Sequence, residues 1–330
     1  MKRFITVTFC FLFIFIGSPF LFSQSSGYKI TGSIDIGSKG FWDYTVVDVP
    51  MHRLYVSHSD KVHVIDLNTN KVIGEIENLN GVHGIAFADK YNKGFISNGR
   101  SDSVTVFNLK TLKKIENVAV TGKDPDAIVY DPFTERIFTM NGRSSNITAI
   151  DAKTDKVVGT LALDGGPEYA ASNGKGLMYV NLEDKSEIEE FNPKTLKKIA
   201  TWSVGPGEGP SGLAMDTKNN ILFSGCHNNM MMIVNAKTGK VITHVPIGGH
   251  VDACSYDPET HMAFSSNGEG TLTVVKEISP TKFKEIENIP TEAGLRTMAL
   301  DPATHNVYLV GMLEGSNNTK SFGVLILERK

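Results

Sequence analysis

The fold is decided by a recurring stretch whose clearest copy is Tyr130-Asp131-Pro132-Phe133-Thr134-Glu135-Arg136-Ile137-Phe138. Its pattern is apolar–Asp–Pro–x–Thr–x–x–apolar–aromatic, and full or degenerate copies are anchored at positions 48, 88, 131, 173, 216, 257 and 301. Successive anchors are 40, 43, 42, 43, 41 and 44 residues apart. A fixed period of this size is the signature of a repeat architecture. The pattern therefore predicts seven consecutive structural units.

A second marker, an apolar residue followed by Asp or Asn and then Thr three positions later, recurs in phase with the first. Its Asp or Asn falls at positions 66, 108, 151, 192 and 235, which are 42, 43, 41 and 43 residues apart. Each repeat also holds four short runs with strand character, separated by turn residues; in the third repeat they span 127–130, 137–140, 147–151 and 156–161. Four antiparallel strands in a repeat of this length are typical of a β-propeller blade.

The two ends of the chain predict that the ring of blades closes. The last repeat stops after its third strand, at 322–327, whereas residues 29–34 match the fourth strand of the first repeat at 71–76. A strand from one end that completes the blade at the other end pins the ring and covers a sheet edge. We therefore predict an all-β, seven-bladed β-propeller with four antiparallel strands per blade, in which residues 28–36 pair with 322–327. Residues 24–330 would form this single domain.

The first residues indicate export. Lys2 and Arg3 precede an apolar run over residues 4–16, and residues 17–23 offer a cleavage region before Gln24. We expect residues 1–23 to be a signal peptide and the mature protein to be periplasmic or secreted; an uncleaved membrane anchor is the alternative. No other segment is long and apolar enough to span a membrane, and we expect a monomer.

The composition after cleavage limits the partners. The chain has 33 basic and 36 acidic residues, so removal of Lys2 and Arg3 leaves 31 against 36, a net charge of −5. This charge disfavours broad, non-specific binding of nucleic acid. Two cysteines remain, Cys226 and Cys254. In an oxidising compartment they could form one disulfide, and two unpaired buried thiols are the equal alternative.

Three motifs carry a resemblance to a known family: Leu54-Tyr55-Val56-Ser57, Val62-His63-Val64-Ile65-Asp66 and Gly209-Pro210-Ser211-Gly212. With them the chain resembles the YVTN-repeat β-propellers, the YncE-like proteins, over nearly all of its mature length. It departs from their Thr-Asn pair, which here is Ser57-His58, Ser97-Asn98 and Met140-Asn141. The resemblance implies an exported scaffold. Some members bind single-stranded DNA, and similar propellers hydrolyse lactones or open cyclic peptides.

One face of the predicted propeller is the natural place for a site. The loop that leads into the first strand of each blade and the loop between its second and third strands lie on that face. The residues at the first of these positions are Asp43, His83, Asp126, Glu168, Ser211, Asp252 and Arg296. The second set of loops adds His58, Arg100, Arg143, Glu183, His227 and Glu269, and Trp42, Tyr44, Tyr169 and His250 flank the ring.

Three interpretations of this ring remain open. Its charges could be solvated or paired with one another. It could bind a small molecule or a partner protein through Asp43, His83, Asp126, Glu168, Asp252, Arg296, Arg100, Arg143, His227 and Trp42. It could bind a divalent cation such as calcium, with candidate ligands Asp43, His83, Asp126, Glu168 and Asp252. Carboxylates crowded together without a metal should have raised pKa values or pair with Arg296 or His83.

The leading functional prediction is a binding scaffold without catalytic activity, because no complete catalytic constellation is evident. The first alternative is a metal-dependent hydrolase or lyase in which His83 or His250 acts as the base. The second is single-stranded nucleic acid binding through Trp42, Tyr44, Arg100 and Arg143, since stacking aromatics with arginines suit that role. The net negative charge disfavours the second alternative.

Overall fold

The computed structural model describes Met1 and residues 25–37, 40–315 and 319–330. The predicted signal peptide, residues 1–23, therefore lies outside the described residues except for Met1. In the described part, regular structure is almost entirely strand, with four short 3-10 helices at Asp89–Tyr91, Gly99–Ser101, Gly142–Ser144 and Glu183–Lys185. None of these helices has the length and apolar character that crossing a bilayer requires.

The strands form seven sheets of four antiparallel strands each. Strand β1 is Tyr28–Gly37. Blade 1 contains β2 (Thr45–Asp48), β3 (Arg53–His58), β4 (Lys61–Asp66) and β5 (Lys71–Ile76). Blade 2 contains β6 (Val82–Ala88), β7 (Lys93–Asn98), β8 (Ser103–Asn108) and β9 (Lys114–Ala119). Blade 3 contains β10 (Pro125–Asp131), β11 (Arg136–Asn141), β12 (Asn146–Asp151) and β13 (Lys156–Ala162).

The remaining four blades continue the same order along the chain. Blade 4 contains β14 (Pro167–Ser172), β15 (Met178–Leu182), β16 (Glu187–Asn192) and β17 (Lys197–Ser203). Blade 5 contains β18 (Pro210–Asp216), β19 (Ile221–Cys226), β20 (Met230–Asn235) and β21 (Val241–Pro246). Blade 6 contains β22 (Val251–Asp257), β23 (Met262–Asn267), β24 (Thr271–Ser279) and β25 (Lys282–Pro290). Blade 7 contains β26 (Thr297–Leu300), β27 (Val307–Glu314), β28 (Lys320–Arg329) and β1.

The ring closes through the N-terminal strand, as predicted. Strand β1 pairs antiparallel with β28 from Tyr28 opposite Arg329 to Gly37 opposite Phe322. The first strand of every blade packs against the first strand of the next, and β26 of blade 7 packs against β2 of blade 1. The predicted all-β, seven-bladed propeller is confirmed.

Each boundary between neighbouring blades has its own apolar core. The aromatic residue near the start of each second strand is at most 3% exposed and packs in the core shared with the following blade; these residues are Tyr55, Phe95, Phe138, Tyr179, Phe223, Phe264 and Tyr308. Burying a large aromatic side chain is strongly favourable. The aromatic position of the first marker therefore holds consecutive blades together.

Both sequence markers are explained by turns on the same face of the ring. Asp131 accepts hydrogen bonds from the backbone N–H and hydroxyl of Thr134 at 2.9 and 2.6 Å, in the turn between the first and second strands. In the turn between the third and fourth strands, Asp66 accepts from the backbone N–H and hydroxyl of Thr69 at 2.9 and 3.1 Å. Such side chains stabilise turns by bonding the backbone two or three residues on. The opposite face is formed by loops without this repeated chemistry.

Candidate functional site

The mouth is the face that carries the loops leading into the first strands and the loops between the second and third strands. Three of these second-to-third loops are 3-10 turns that end in a residue at positive φ, namely Asp102, Ser145 and Ser186 at 48°, 47° and 54°. Two of these turns carry Arg100 and Arg143. The turns thus place two arginines at equivalent positions of blades 2 and 3.

Two tyrosines from opposite sides of the ring meet in the channel below the mouth. Tyr44 of blade 1 and Tyr169 of blade 4 lie with ring centroids 5.4 Å apart. A cavity of about 150 Å³ lined by both tyrosines and by first-strand residues such as Val46 and Ala299 follows the channel. The mouth is therefore a recess with a tyrosine floor.

Four carboxylates of the predicted ring converge on this floor. The pKa of Tyr44 is raised well above its ordinary value by burial, and then by the negative charges of Asp126, Glu168, Asp43 and Asp252. These carboxylates come from blades 1, 3, 4 and 6. Because all four charges act on one phenol, the register of the repeat has brought residues from positions 43 to 252 into one site.

On one side of the recess, His83 lies between two carboxylates. Its Nδ1 is 2.6 Å from Oδ2 of Asp43 and 3.3 Å from Oδ1 of Asp126. Burial alone would lower the pKa of His83, but the hydrogen bond to Asp43 and the charges of Asp126 and Asp43 raise it. Burial and the neighbouring charge of Asp43 raise the pKa of Asp126. Donor atoms of the three residues all lie within 4.8 Å of one another.

On the other side, the charges are paired differently. Nε of Arg296 is 2.9 Å from Oδ2 of Asp252, and the hydroxyl of Ser211 donates to Oδ1 of Asp252 at 3.2 Å. The pKa of Asp252 is raised by burial and by Asp43, although Arg296 opposes this shift. Glu168 has a raised pKa because of burial, the charge of Asp126 and a hydrogen bond with Glu183. The ring is therefore a set of crowded, partly buried carboxyl groups with too few cations to pair them all.

Three pockets open around the recess. The first, about 240 Å³, is lined by His83, Arg100 and Arg143 with other residues. The second, about 400 Å³, is lined by His227, His250, Val251, Asp252 and Arg296. The third, about 260 Å³, is lined by Phe41, Trp42, Gly294 and Arg296. Each pocket borders at least one member of the predicted ring.

Two predicted mouth residues have surroundings that differ from the expectation. His58 is buried, its ring stacks on Phe322 at 4.1 Å between centroids, and its Nδ1 is 3.0 Å from Nε2 of His63. It belongs to the boundary between blades 1 and 7, because its side chain turns back into the blade. Trp42 is half-buried against Phe322, at 5.7 Å between ring centroids, and reaches the mouth only at the third pocket.

Two residues that sequence reasoning missed line the first pocket. Phe41 is 46% exposed and meets the ring of His83 edge-on at 5.7 Å. Asp124 lies at positive φ, and its Oδ2 is 2.9 Å from Nε of Arg143. Their positions next to predicted residues could have indicated them, since Phe41 directly precedes Trp42 and Asp124 stands two positions before Asp126. Both fall on a repeated position, two residues before Asp43 and Asp126, a position that the set of candidate residues taken from the repeat did not include.

The two cysteines are free and buried in this structure. Burial raises the pKa of both the Cys226 and the Cys254 thiol to about 12. Reactive cysteines require a thiolate, which a raised pKa disfavours. These thiols are therefore poor nucleophiles.

Comparison with known proteins establishes the fold alone. No family model matches the chain, and no curated protein matches it in sequence. Among solved structures 1781 chains match, so the architecture is widespread. One of them, described as "Structure of U3-55K", superposes with a TM-score of 0.76 at 7% sequence identity, covering 92% of this chain and 99% of the other. At this identity the likeness shows a shared β-propeller and carries no function with it.

Proposed function

We propose that this protein is an exported β-propeller that binds a small polar ligand or a partner protein at its mouth. The observation that carries the proposal is the close grouping of Asp43, His83 and Asp126 on one side of the mouth and the pairing of Asp252 with Arg296 on the other, above the contact of Tyr44 with Tyr169. Concave sites with a few convergent polar groups and perturbed pKa values are typical binding sites. The resemblance to the YVTN-repeat propellers supports the same role. The proposal includes cleavage of residues 1–23, a periplasmic or secreted location and a monomeric chain.

The first pocket supplies contacts suited to a polar ligand. Arg143 is held by Asp124 through Nε, which leaves its terminal nitrogens free to donate, and Arg100 lines the same pocket. Arginine forks recognise planar acceptors such as carboxylates. Phe41 offers an exposed ring edge beside them. A ligand in this pocket would contact His83 and lie next to the carboxylate ring.

The test is the recovery of bound small molecules from immobilised mature protein after incubation with cell extract, measured by mass spectrometry after heat release. We expect Arg100→Gln/Arg143→Gln to reduce recovery of the bound species at least about tenfold, the size expected when charged hydrogen bonds are lost. The matched control is Lys153→Gln/Lys194→Gln in turns of the opposite face. Equal recovery from wild type and the arginine variant, or loss only in the control, would contradict the proposal.

The second candidate is a metal-dependent hydrolase or lyase, favoured by one observation, the close approach of Asp43, His83 and Asp126. A cation with an open position polarises a carbonyl or lowers the pKa of bound water. His250 lines the neighbouring pocket with Asp252 and Arg296 and is the candidate base on that side. Single-stranded DNA binding gains no comparable support, because the carboxylate ring would repel phosphates.

A further inference from the structure

We infer that Asp43, His83 and Asp126 bind one divalent cation of the Mn²⁺ or Zn²⁺ type, with a coordination position open to the mouth. The inference rests on the proposed function and deepens it, because it assigns the metal and the part of the mouth where a ligand would meet it. The three residues occupy equivalent positions of blades 1, 2 and 3, and one potential ligand atom of each lies within 4.8 Å of the others.

An unsatisfied oxygen points to a missing cation. Nδ1 of His83 can carry one hydrogen at most, and Oδ2 of Asp43, at 2.6 Å, is the nearer acceptor for it. Asp126 Oδ1 is 3.3 Å from the same nitrogen, has no exposed surface and accepts no hydrogen bond from the described residues. A buried acceptor without a partner costs about 1–3 kcal/mol. A cation bound by these atoms would satisfy the buried oxygen and relieve the repulsion between the two carboxylates.

The backbone around the cluster is fixed by buried hydroxyls of the second strands. The N–H of Asp43 donates to Oγ of Ser57 at 2.9 Å. Oγ of Ser97 accepts from the N–H of Gly84 at 2.8 Å and donates to the carbonyl of Asp126 at 2.5 Å. These bonds tie the segments that carry all three residues. Supporting contacts of this kind hold metal ligands in place before the metal binds.

The donor set selects the class of cation. Calcium takes six to eight oxygen ligands, whereas this cluster offers one imidazole nitrogen and two carboxylates. Imidazole suits Zn²⁺ and carboxylates suit Mn²⁺, and three protein ligands leave a position for water or a substrate oxygen. Of the five predicted metal ligands, Glu168 and Asp252 lie outside the described cluster; Asp252 pairs with Arg296. The donor set therefore favours a transition metal over calcium, which was the example of a divalent cation named in one of the three interpretations left open by the sequence.

The site also faces a pocket of suitable size. His83 lines the pocket of about 240 Å³ that Arg100 and Arg143 border. An anionic or carbonyl oxygen held by these arginines would stand beside the open coordination position. The metal and the arginines would then bind two parts of the same ligand.

The test is calorimetric titration of chelator-treated, full mature chain with MnCl₂, ZnCl₂ and, for comparison, CaCl₂. We expect one Mn²⁺ or Zn²⁺ per chain, tighter than Ca²⁺. We expect His83→Gln and Asp126→Asn to weaken binding at least about tenfold, and Glu208→Gln, a carboxylate exposed on the same face outside the cluster, to leave it unchanged. Thermal unfolding of each variant checks that it folds. The visible spectrum of Co²⁺-loaded wild type gives a readout that needs no variant, since it reports nitrogen and oxygen ligation directly.

The inference would be overturned if wild type showed no saturable binding at about 1 mM cation. It would also be overturned if a folded cluster variant bound the cation as tightly as wild type, or if Glu208→Gln lost as much affinity as the cluster variants. Tighter binding of Ca²⁺ than of Mn²⁺ and Zn²⁺ would overturn the assigned class of cation. Failure of the proposed function can be distinguished from failure of this inference. The test of the proposed function measures the small molecules that the protein retains and the effect of the two arginines, and it does not measure cation binding. If metal-free protein still retains its ligand through Arg100 and Arg143, the propeller binds at its mouth without this cation.

Discussion

At the scale of single residues, a buried Asn–Thr hydrogen bond that recurs in three other blades is replaced in blade 1 by a pair of histidines. In those blades an Asn at the end of the second strand donates to a Thr of the third strand; the pairs are Asn98–Thr105 at 3.0 Å, Asn141–Thr148 at 2.9 Å and Asn267–Thr273 at 2.9 Å. In blade 1 the equivalent pair is His58 and His63, 3.0 Å apart, and Nδ1 of His63 is 2.9 Å from Oε1 of Glu75. Where the other three blades have uncharged Asn and Thr side chains, blade 1 has two histidines that can take up protons, and His58 stacks on Phe322 of blade 7.

This substitution makes stability depend on pH. Burial lowers the pKa of both His58 and His63, so the folded state keeps them neutral below the pH at which the unfolded chain takes up protons. As pH falls through the ordinary histidine pKa of about 6.5, the unfolded state binds more protons and the free energy of unfolding decreases. We expect His58→Asn/His63→Thr to lose less stability than wild type between about pH 7.5 and about pH 5.5. Urea unfolding at both values measures this, and equal losses would refute the explanation.

The sequence predicts positions in the mouth better than it predicts contacts. Asp43, His83 and Asp126 could be predicted to converge because the repeat register assigns them equivalent places. Their mutual distances, the exposure of Phe41 and the pairing of Asp124 with Arg143 could not be predicted, because the repeat fixes the backbone of the loops but not how their side chains are oriented. His58 was placed wrongly for the same reason, since the repeat locates its backbone but not the direction of its side chain.

At the scale of elements, strand β1 packs towards both neighbours of blade 7, with Tyr28 in the core shared with blade 6 and Ile34 in the core shared with blade 1. Ile34 is 5% exposed and packs in the core between blades 1 and 7, whereas Ile30 of the same strand is 47% exposed. We expect Ile34→Ala to lower the free energy of unfolding by about 2–4 kcal/mol because it opens a cavity in that core. Ile30→Ala should change it by less than about 0.5 kcal/mol. Denaturant unfolding measures both variants, and equal effects would mean that β1 is not packed as described.

The strands could be predicted from sequence because turn chemistry marks their ends. Asp131 with Thr134, and Asp66 with Thr69, form turns that repeat in phase, so the strands between them follow. The degenerate copy at position 88 still forms a turn, through the 3-10 helix Asp89–Tyr91. Element boundaries at the mouth were less predictable, since the hydrogen bonds that mark them join backbone groups, such as the N–H of Gly99 and the carbonyl of Gly81 at 2.8 Å, and leave no side-chain signal in the sequence.

At the scale of the whole molecule, the recess exists only because the ring closes. Its residues extend from Asp43 in blade 1 to Arg296 at the start of blade 7, and the strands of each blade pack chiefly against those of its two neighbours. Pairing of β1 with β28 joins the first blade to the last through the core that contains Ile34 and Phe322. Loosening that pairing would separate Asp43 from the side of the mouth that Arg296 forms.

The most direct test of this closure is a disulfide engineered across the pair that joins the two ends. Lys29 lies opposite Glu328, and directly paired antiparallel residues have Cα atoms about 4.5–5.5 Å apart, within the range of a disulfide. We predict that Lys29→Cys/Glu328→Cys oxidises in the native state and stabilises the fold by about 2–5 kcal/mol. The control Lys29→Cys/Lys320→Cys, whose cysteines would lie ~25 Å apart, should stay reduced. Peptide mapping without reductant measures the bridge in each variant. If both variants stayed reduced, or if only the control formed a disulfide, the closed seven-bladed ring would be contradicted.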